Sequence, residues 1–599
     1  AGVVVDNFTL DGTTLALSSG DFTVDVAGDI ILDADGGDVF FADGGTNIGG
    51  LKNASSDFKI ESKVQDKDIK FAGNDGGSGI TALTLDMSDA GTAIFNHDIQ
   101  TGLNGFMDIR DADGDISGRL RNVSGSNNAL TIEADPADSA SGSYINFKVD
   151  TTTSLTIDAS GNIIIASTGG TLQTATAGTS NFRAGVNAGN SILSGGNYNT
   201  VVGDEAGTAI ELGDANTLIG YTSGAALVGG YNNVAVGNGA LNDEVEGRGS
   251  IAVGVGALGV QTNASGTDAY NTAVGFLAGN TVDTGTLNTF VGALAGDGTD
   301  DGQGNTAVGY LALSANCGDH NTAVGSGSLL VTTASQNTAV GENSGKTLTD
   351  GTRNVFVGVD AGLLATTIDD CVIIGMAAGG GATMTGHDSV LIGRDAGHDL
   401  TSGGQNVFIG RNAGDKTDDS TDGVVIGYSA GGGNHGGNNT FVGSNAAASS
   451  VAANQTIIGY QAGYSNNHAN ARNSTIMGYR AGYTSDPENA SSYGNVFIGS
   501  SVGYGCTTGF ANVCVGGSAS GGANPAGYGL TTGVGNAFFG NTAGSTISTG
   551  QNNTILGNYD GNENSLDLRT SNNNIVLSDG DGNYHIHINS DGKKVMRGS

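Results

Sequence analysis

Asn271-Thr272-Ala273-Val274-Gly275 is followed seventeen residues later by Asn288-Thr289-Phe290-Val291-Gly292, and after a further seventeen by Asn305-Thr306-Ala307-Val308-Gly309. Loosely defined, this pentad occurs 21 times between Asn199 and Gly557, mostly in steps of 16 to 18 residues. A short fixed period of apolar triplets closed by glycine predicts a solenoid, in which each unit buries its apolar face only by stacking on the next. At a strand spacing of about 4.8 Å, the coils would extend roughly 100 Å.

Position one is Asn in 15 of the 21 pentads: Asn199, Asn216, Asn233, Asn271, Asn288, Asn305, Asn321, Asn337, Asn354, Asn406, Asn439, Asn495, Asn512, Asn536 and Asn553. Stacking would place them in a structural column whose amides satisfy one another. Position four is Val or Ile in 18 pentads, and position two is mostly Thr or Val. Position three is either small, as at Ala235, Ala273 and Ala323, or large, as at Phe290, Phe356, Phe408, Phe441 and Phe497. A strand alternates, so positions two and four share one face and position three takes the other. Both faces are apolar. We assign positions two and four to the coil interior, and position three, with its five phenylalanines, to packing between chains.

The remainder divides around this array. Residues 1–165 form a β-rich shaft, in which Phe22, Val24 and Val26, or Ile145, Phe147 and Val149, alternate with polar residues between Gly- and Asp-rich turns. Strands so short and polar would bury little in one chain, so several chains are expected to intertwine. Residues 166–198 are a Ser/Thr/Gly-rich transition, 199–560 the solenoid, and 561–599 a C-terminal β-hairpin cap containing Tyr584-His585-Ile586-His587-Ile588. The fold class is thus all-β, an elongated assembly of several chains with an intertwined shaft and a parallel β-solenoid or β-roll of about 21 coils.

Composition narrows the function classes. Of 599 residues 106 are Gly, but regular apolar triplets argue against disorder and only three Pro argue against collagen. A net charge of −37 disfavours binding to nucleic acid. No apolar run reaches the ~20 residues of a membrane span, and no basic-then-apolar leader opens the chain. Cys317, Cys371, Cys506 and Cys514 lack CxxC spacing and read as buried free thiols.

The pentads with their Asn column resemble the β-roll heads of trimeric autotransporter adhesins. Gly37-Asp38-Val39-Phe40-Phe41, Leu155-Thr156-Ile157-Asp158-Ala159-Ser160-Gly161-Asn162-Ile163 and the closing Tyr584–Gly592 resemble segments of bacteriophage tail fibres. The resemblance implies a homotrimeric virion fibre that attaches to a glycan or protein of the host surface and contacts other tail proteins. It does not imply an enzyme. A cellular or extracellular filament built from the same repeats is the alternative, and a tailspike-like depolymerase the third reading.

Candidate sites are few. Gly341-Glu342-Asn343-Ser344-Gly345-Lys346-Thr347 has Val340 where a phosphate loop needs its first Gly. Asp111–Asp115 lacks the Gly and Glu spacing of a calcium loop, with Asn122 in the place of the Glu. Longer steps of 21, 21 and 24 residues precede Gly275, Gly499 and Gly540, and Tyr483, Tyr493 and Tyr528 are assigned to such loops as receptor contacts. His585 and His587 share one strand face. On a trimer axis six imidazoles would converge on a transition metal, and the tail-fibre resemblance implies iron.

Overall fold

The computed structural model describes residues 15, 17–88, 92–95, 177–264, 266–469, 471–485, 494–517 and 522–597, together with the strand backbones between 106 and 165. Among the described residues the chain is all-β, without a helix. It divides into two compact units, Ala1–Thr171 and Leu172–Ser599.

The first unit contains four three-stranded antiparallel meanders. The first is formed by Asp38–Asp43, Thr46–Ala54 and Asp57–Ser62, the second by Ile69–Asp75, Ser78–Asp86 and Thr92–Phe95. Two more begin at Phe106–Arg110 and Ile145–Val149. In all four the opening strand pair carries an irregularity near its turn, at Phe41/Ala42, Phe71/Ala72, Ile109/Arg110 and Phe147/Lys148. The meanders are therefore copies of one device. In the first, Glu61 holds Lys52, Lys59 and Lys63 at 2.8, 2.9 and 2.6 Å, and these ammonium groups keep its carboxyl well below the usual range, at about 2. Apolar side chains of the first two meanders stay exposed, including Phe40, Phe41, Phe58, Phe71 and Ile94.

The second unit is one 25-stranded sheet, parallel from Phe182–Ala184 through Thr554–Leu556 to Ile575–Ser578. Tyr584–Ile588 and Lys594–Met596 then close it antiparallel. The 23 parallel strands bound about 22 coils, so the stack begins earlier than Asn199, at Asn181-Phe182-Arg183-Ala184-Gly185, and ends at Asn574. Each coil contributes a single three-residue strand. Its remaining residues form turns whose amides bond to the next coil, as Gly345 N–H does to Ala361 C=O at 2.9 Å. The glycine closing each strand has two constraints. At Gly292 φ is +138°, and a Cβ would lie 2.6 Å from the Gly309 carbonyl oxygen.

The facing of the pentad reverses the sequence assignment. Position three points into the coil, and positions two and four point out. Phe290, Phe356, Phe408, Phe441 and Phe497 are fully buried within one chain, so these five cannot line an interface between chains. The coil has one strand and therefore one inward face, and the middle residue of a triplet is the one that reaches it. Its Ala-or-Phe choice is volume compensation within a coil and between adjacent coils, since Gly279 and Gly345, in the coils of Ala273 and Ala339, face Phe290 and Phe356 of the next. Where position three is Phe356, Phe408 or Phe497, the residue four past the closing glycine is Gly362, Gly414 or Gly503, and a Cβ there would lie 2.3, 2.7 or 2.8 Å from the ring. Where it is Ala235, Ala252, Ala307 or Ala323, the same place holds buried Leu241, Leu258, Leu313 or Leu329. These leucines adopt φ between +47° and +55°, a left-handed conformation costing roughly 1–2 kcal/mol each, which the filled core offsets.

The asparagines do form a buried column, but their principal partners are backbone groups. Asn288 Nδ2 donates to Gly302 C=O at 2.8 Å, fastening the end of its coil to the start. Asn288 Oδ1 accepts the backbone N–H of Asn305, in the next coil, at 2.8 Å. Direct amide–amide bonds are secondary, as from Asn354 Nδ2 to Asn337 Oδ1 at 3.1 Å. Ser250 interrupts the column, and Gln261 takes over by bonding Ser250 Oγ at 3.0 Å and Asn271 Nδ2 at 2.8 Å. Gln261 also donates to buried Glu244, whose other oxygen accepts three consecutive backbone amides, of Val245, Glu246 and Gly247.

Candidate functional site

Tyr483 and Tyr528 do not sit on protruding loops. Each follows the Ala-Gly corner of its coil, in the register also held by Tyr464 and Tyr504. The four rings form a continuous ladder. Tyr464–Tyr483, Tyr483–Tyr504 and Tyr504–Tyr528 have centroids 5.0, 5.0 and 5.2 Å apart and planes within 4°, 4° and 13°. The coil spacing enforces this geometry, because one residue type at one register position repeats at the stacking distance. Tyr493 lies outside the described residues.

A second aromatic pair runs beside the ladder. Tyr460 and Tyr479 occupy the position after the strand-closing glycine, stack at 5.5 Å, and are about half exposed. Arg480 joins the two columns. Its guanidinium carbon lies 5.6 Å from the Tyr479 centroid and 5.4 Å from that of Tyr483, and its Nε donates to Gln461 Oε1 at 2.8 Å. Among the described tyrosines, only the hydroxyl of Tyr559 has an intramolecular hydrogen bond, to the carbonyl of Leu566. The ladder therefore presents ring edges and a row of unengaged hydroxyls. Recurrence of Ala-Gly-Tyr at 462–464, 481–483 and 526–528, with Val-Gly-Tyr at 502–504, was the available sequence signal.

His585 and His587 lie on the closing strand and are engaged individually. His585 Nε2 is 3.2 Å from Asp579 Oδ2. His587 Nε2 donates to Asn574 Oδ1 at 2.9 Å and so caps the oxygen left open by the last member of the Asn column. Partial burial lowers the His587 pKa and so favours the neutral ring. Any metal bound by His587 would have to use Nδ1 or displace Asn574. Among the described residues, no three His, Cys, Asp or Glu side chains of one chain gather as a metal site.

The segment 341–347 is an ordinary coil corner, with Thr347 Oγ1 donating to Leu363 and Ala365 carbonyls at 2.8 and 3.0 Å. Asp111–Asp115 lies outside the described residues. Cys317, Cys371, Cys506 and Cys514 are buried free thiols, and burial pushes their pKa values up, to about 11 for the first two and about 12 for Cys506. No helix is long and apolar enough to cross a membrane among the described residues.

The largest feature is the outer face of the sheet. From Thr200–Val202 to Thr554–Leu556, positions two and four carry Thr, Val, Ile and a few other uncharged residues, and no charged one. Val274, Val291, Val308 and Val340 are 37–39% exposed, although the chain carries a charge of −37. Comparison of the chain with protein-family models, curated proteins and solved structures returns no match.

Proposed function

We propose that the chain is the rod of a homotrimeric attachment fibre, of the kind a phage carries at its tail, and that its role is structural and adhesive rather than catalytic. The uncharged outer sheet face carries this reading. About 22 coils at ~4.8 Å give a strip about 105 Å long, and two side-chain columns ~6.6 Å apart make it on the order of 700 Å². That is close to the ~800 Å² per partner of a standard stable interface. Only a partner with the same length and flatness covers such a strip, and a second copy of the chain has both. Exposed Phe40, Phe41, Phe58 and Phe71 in the first unit add the same need, because separate three-stranded meanders lack a layer to bury them.

Solution mass tests this reading. The wild-type chain is expected at three times its own mass. Val340→Asp, Val357→Asp and Ile374→Asp together place charges along the outer face and should give monomers with unchanged far-UV circular dichroism. A monomeric wild type, or a variant that still assembles, would overturn it.

A further inference from the structure

The charge of this protein is not spread along the solenoid. Between Gly423 and Tyr559 the only acidic residues are Asp486 and Glu488, and the only basic ones are Arg472 and Arg480. These cancel, so the whole net charge of −37 belongs to the rest of the chain. The same 137-residue stretch holds nine of the 16 tyrosines. Earlier corners present Glu205, Asp360 and Asp395 two residues past the closing glycine, where this stretch presents Ser429, Asn445, Gln461 and Ser501. A neutral surface of Tyr, Ser and Asn is the composition of an adaptable recognition surface, with Tyr supplying rigid area and the small polar groups supplying hydrogen bonds.

We infer that the tyrosine corner formed by Tyr460, Tyr464, Tyr479, Tyr483, Tyr504 and Tyr528 binds an extended, neutral polysaccharide running along the rod. This names the receptor class of the attachment fibre proposed above and rests on that reading. Four observations converge on it. The ladder repeats one group at 5.0–5.2 Å over four successive coils, so the matching ligand must itself repeat. That pitch is comparable to the rise of one pyranose unit in a β-1,4-linked chain. The inner faces of the ladder rings are covered by one another, which leaves edges and unengaged hydroxyls to meet sugar hydroxyls. Arg480 fixes Tyr479 against Tyr483 through its cation–π contacts, and its terminal amino groups add donors at the centre of the row. Among the described residues of the four ladder corners none is acidic, which suits a neutral ligand.

Isothermal titration of the full-length protein with cellohexaose and chitohexaose tests the proposal, with maltohexaose, whose α-linked chain coils out of register, as the control. Both β-linked hexasaccharides are expected to bind and maltohexaose to bind at least tenfold more weakly. Tyr483→Phe/Tyr504→Phe keeps the stacked rings and removes two hydroxyls. It should weaken binding about tenfold at unchanged Tm. Failure of the wild type to bind either β-linked ligand, equal binding of maltohexaose, or undiminished binding by the Phe variant would overturn the inference. Solution mass of the same sample separates the two proposals: an assembled rod that binds no glycan refutes this site alone, whereas a monomer refutes the fibre reading.

Discussion

Acidification should weaken the coil around His435 by an amount set by one imidazole. His435 is fully buried, with Phe408 and Phe441 meeting it edge-on at 6.0 and 5.2 Å. Its Nδ1 donates to Gly436 C=O at 3.2 Å, and Nε2 has no partner. Its neighbours Phe408, Phe441, Gly436 and Asn439 carry no charge to stabilise an imidazolium. Burial accordingly lowers the pKa from 6.5 to about 4. Between these values the unfolded chain takes up a proton that the folded chain does not, so stability is complete above pH ~6.5 and falls as pH drops towards 4. The loss is about 2 kcal/mol at pH 5 and about 3 kcal/mol at pH 4 per chain. Many carboxylates titrate over the same range, so the measurement must be a difference. Urea unfolding followed by tyrosine fluorescence, in a protein without Trp, should show the wild type losing this much more stability from pH 7 to pH 5 than His435→Leu. Hydrogen exchange of the segment 424–442 should locate the loss. Equal pH dependence in the two proteins would refute the argument that a neutral imidazole is sealed in the coil.

Phe408→Ala should cost about 3–5 kcal/mol through the cavity it leaves, and adding Gly414→Leu should recover part of this by reproducing the natural Ala307/Leu313 pairing, read as the urea midpoint. Asn354→Ala leaves the buried N–H of Cys371 and the carbonyl of Ile368 unpaired, bonds now made at 3.0 and 2.7 Å. It should cost on the order of 3 kcal/mol and raise amide exchange in the coils of Asn337 and Cys371 first. Gly292→Ala meets both a φ of +138° and a carbonyl 2.6 Å from the new methyl, so the variant should lose at least about 2 kcal/mol by the same assay.

The period, the strand, the closing glycine and the buried asparagine were all legible in the sequence, because each depends on local chemistry repeated at a fixed interval. Which face of the triplet turns inward was not legible from the triplet alone, since both faces are apolar. The deciding signal lay outside the pentad. Position three and the residue four past the glycine compensate in most coils, Phe356 with Gly362 and Phe408 with Gly414 against Ala307 with Leu313 and Ala323 with Leu329, while Gly279 and Gly345, in the coils of Ala273 and Ala339, make room for Phe290 and Phe356 of the following coils. Two positions whose volumes compensate within one repeat must share one enclosed space. That rule makes Phe408→Asp a coil breaker and places the assembly test on the outer face, at Val340, Val357 and Ile374. The tyrosine ladder was missed for the opposite reason: loop length drew attention to where the register breaks, whereas Tyr464, Tyr483, Tyr504 and Tyr528 gain their geometry from keeping it. In a solenoid, a row of identical side chains at one corner is a surface built by the repeat itself, and its ligand should be sought among polymers that repeat as well.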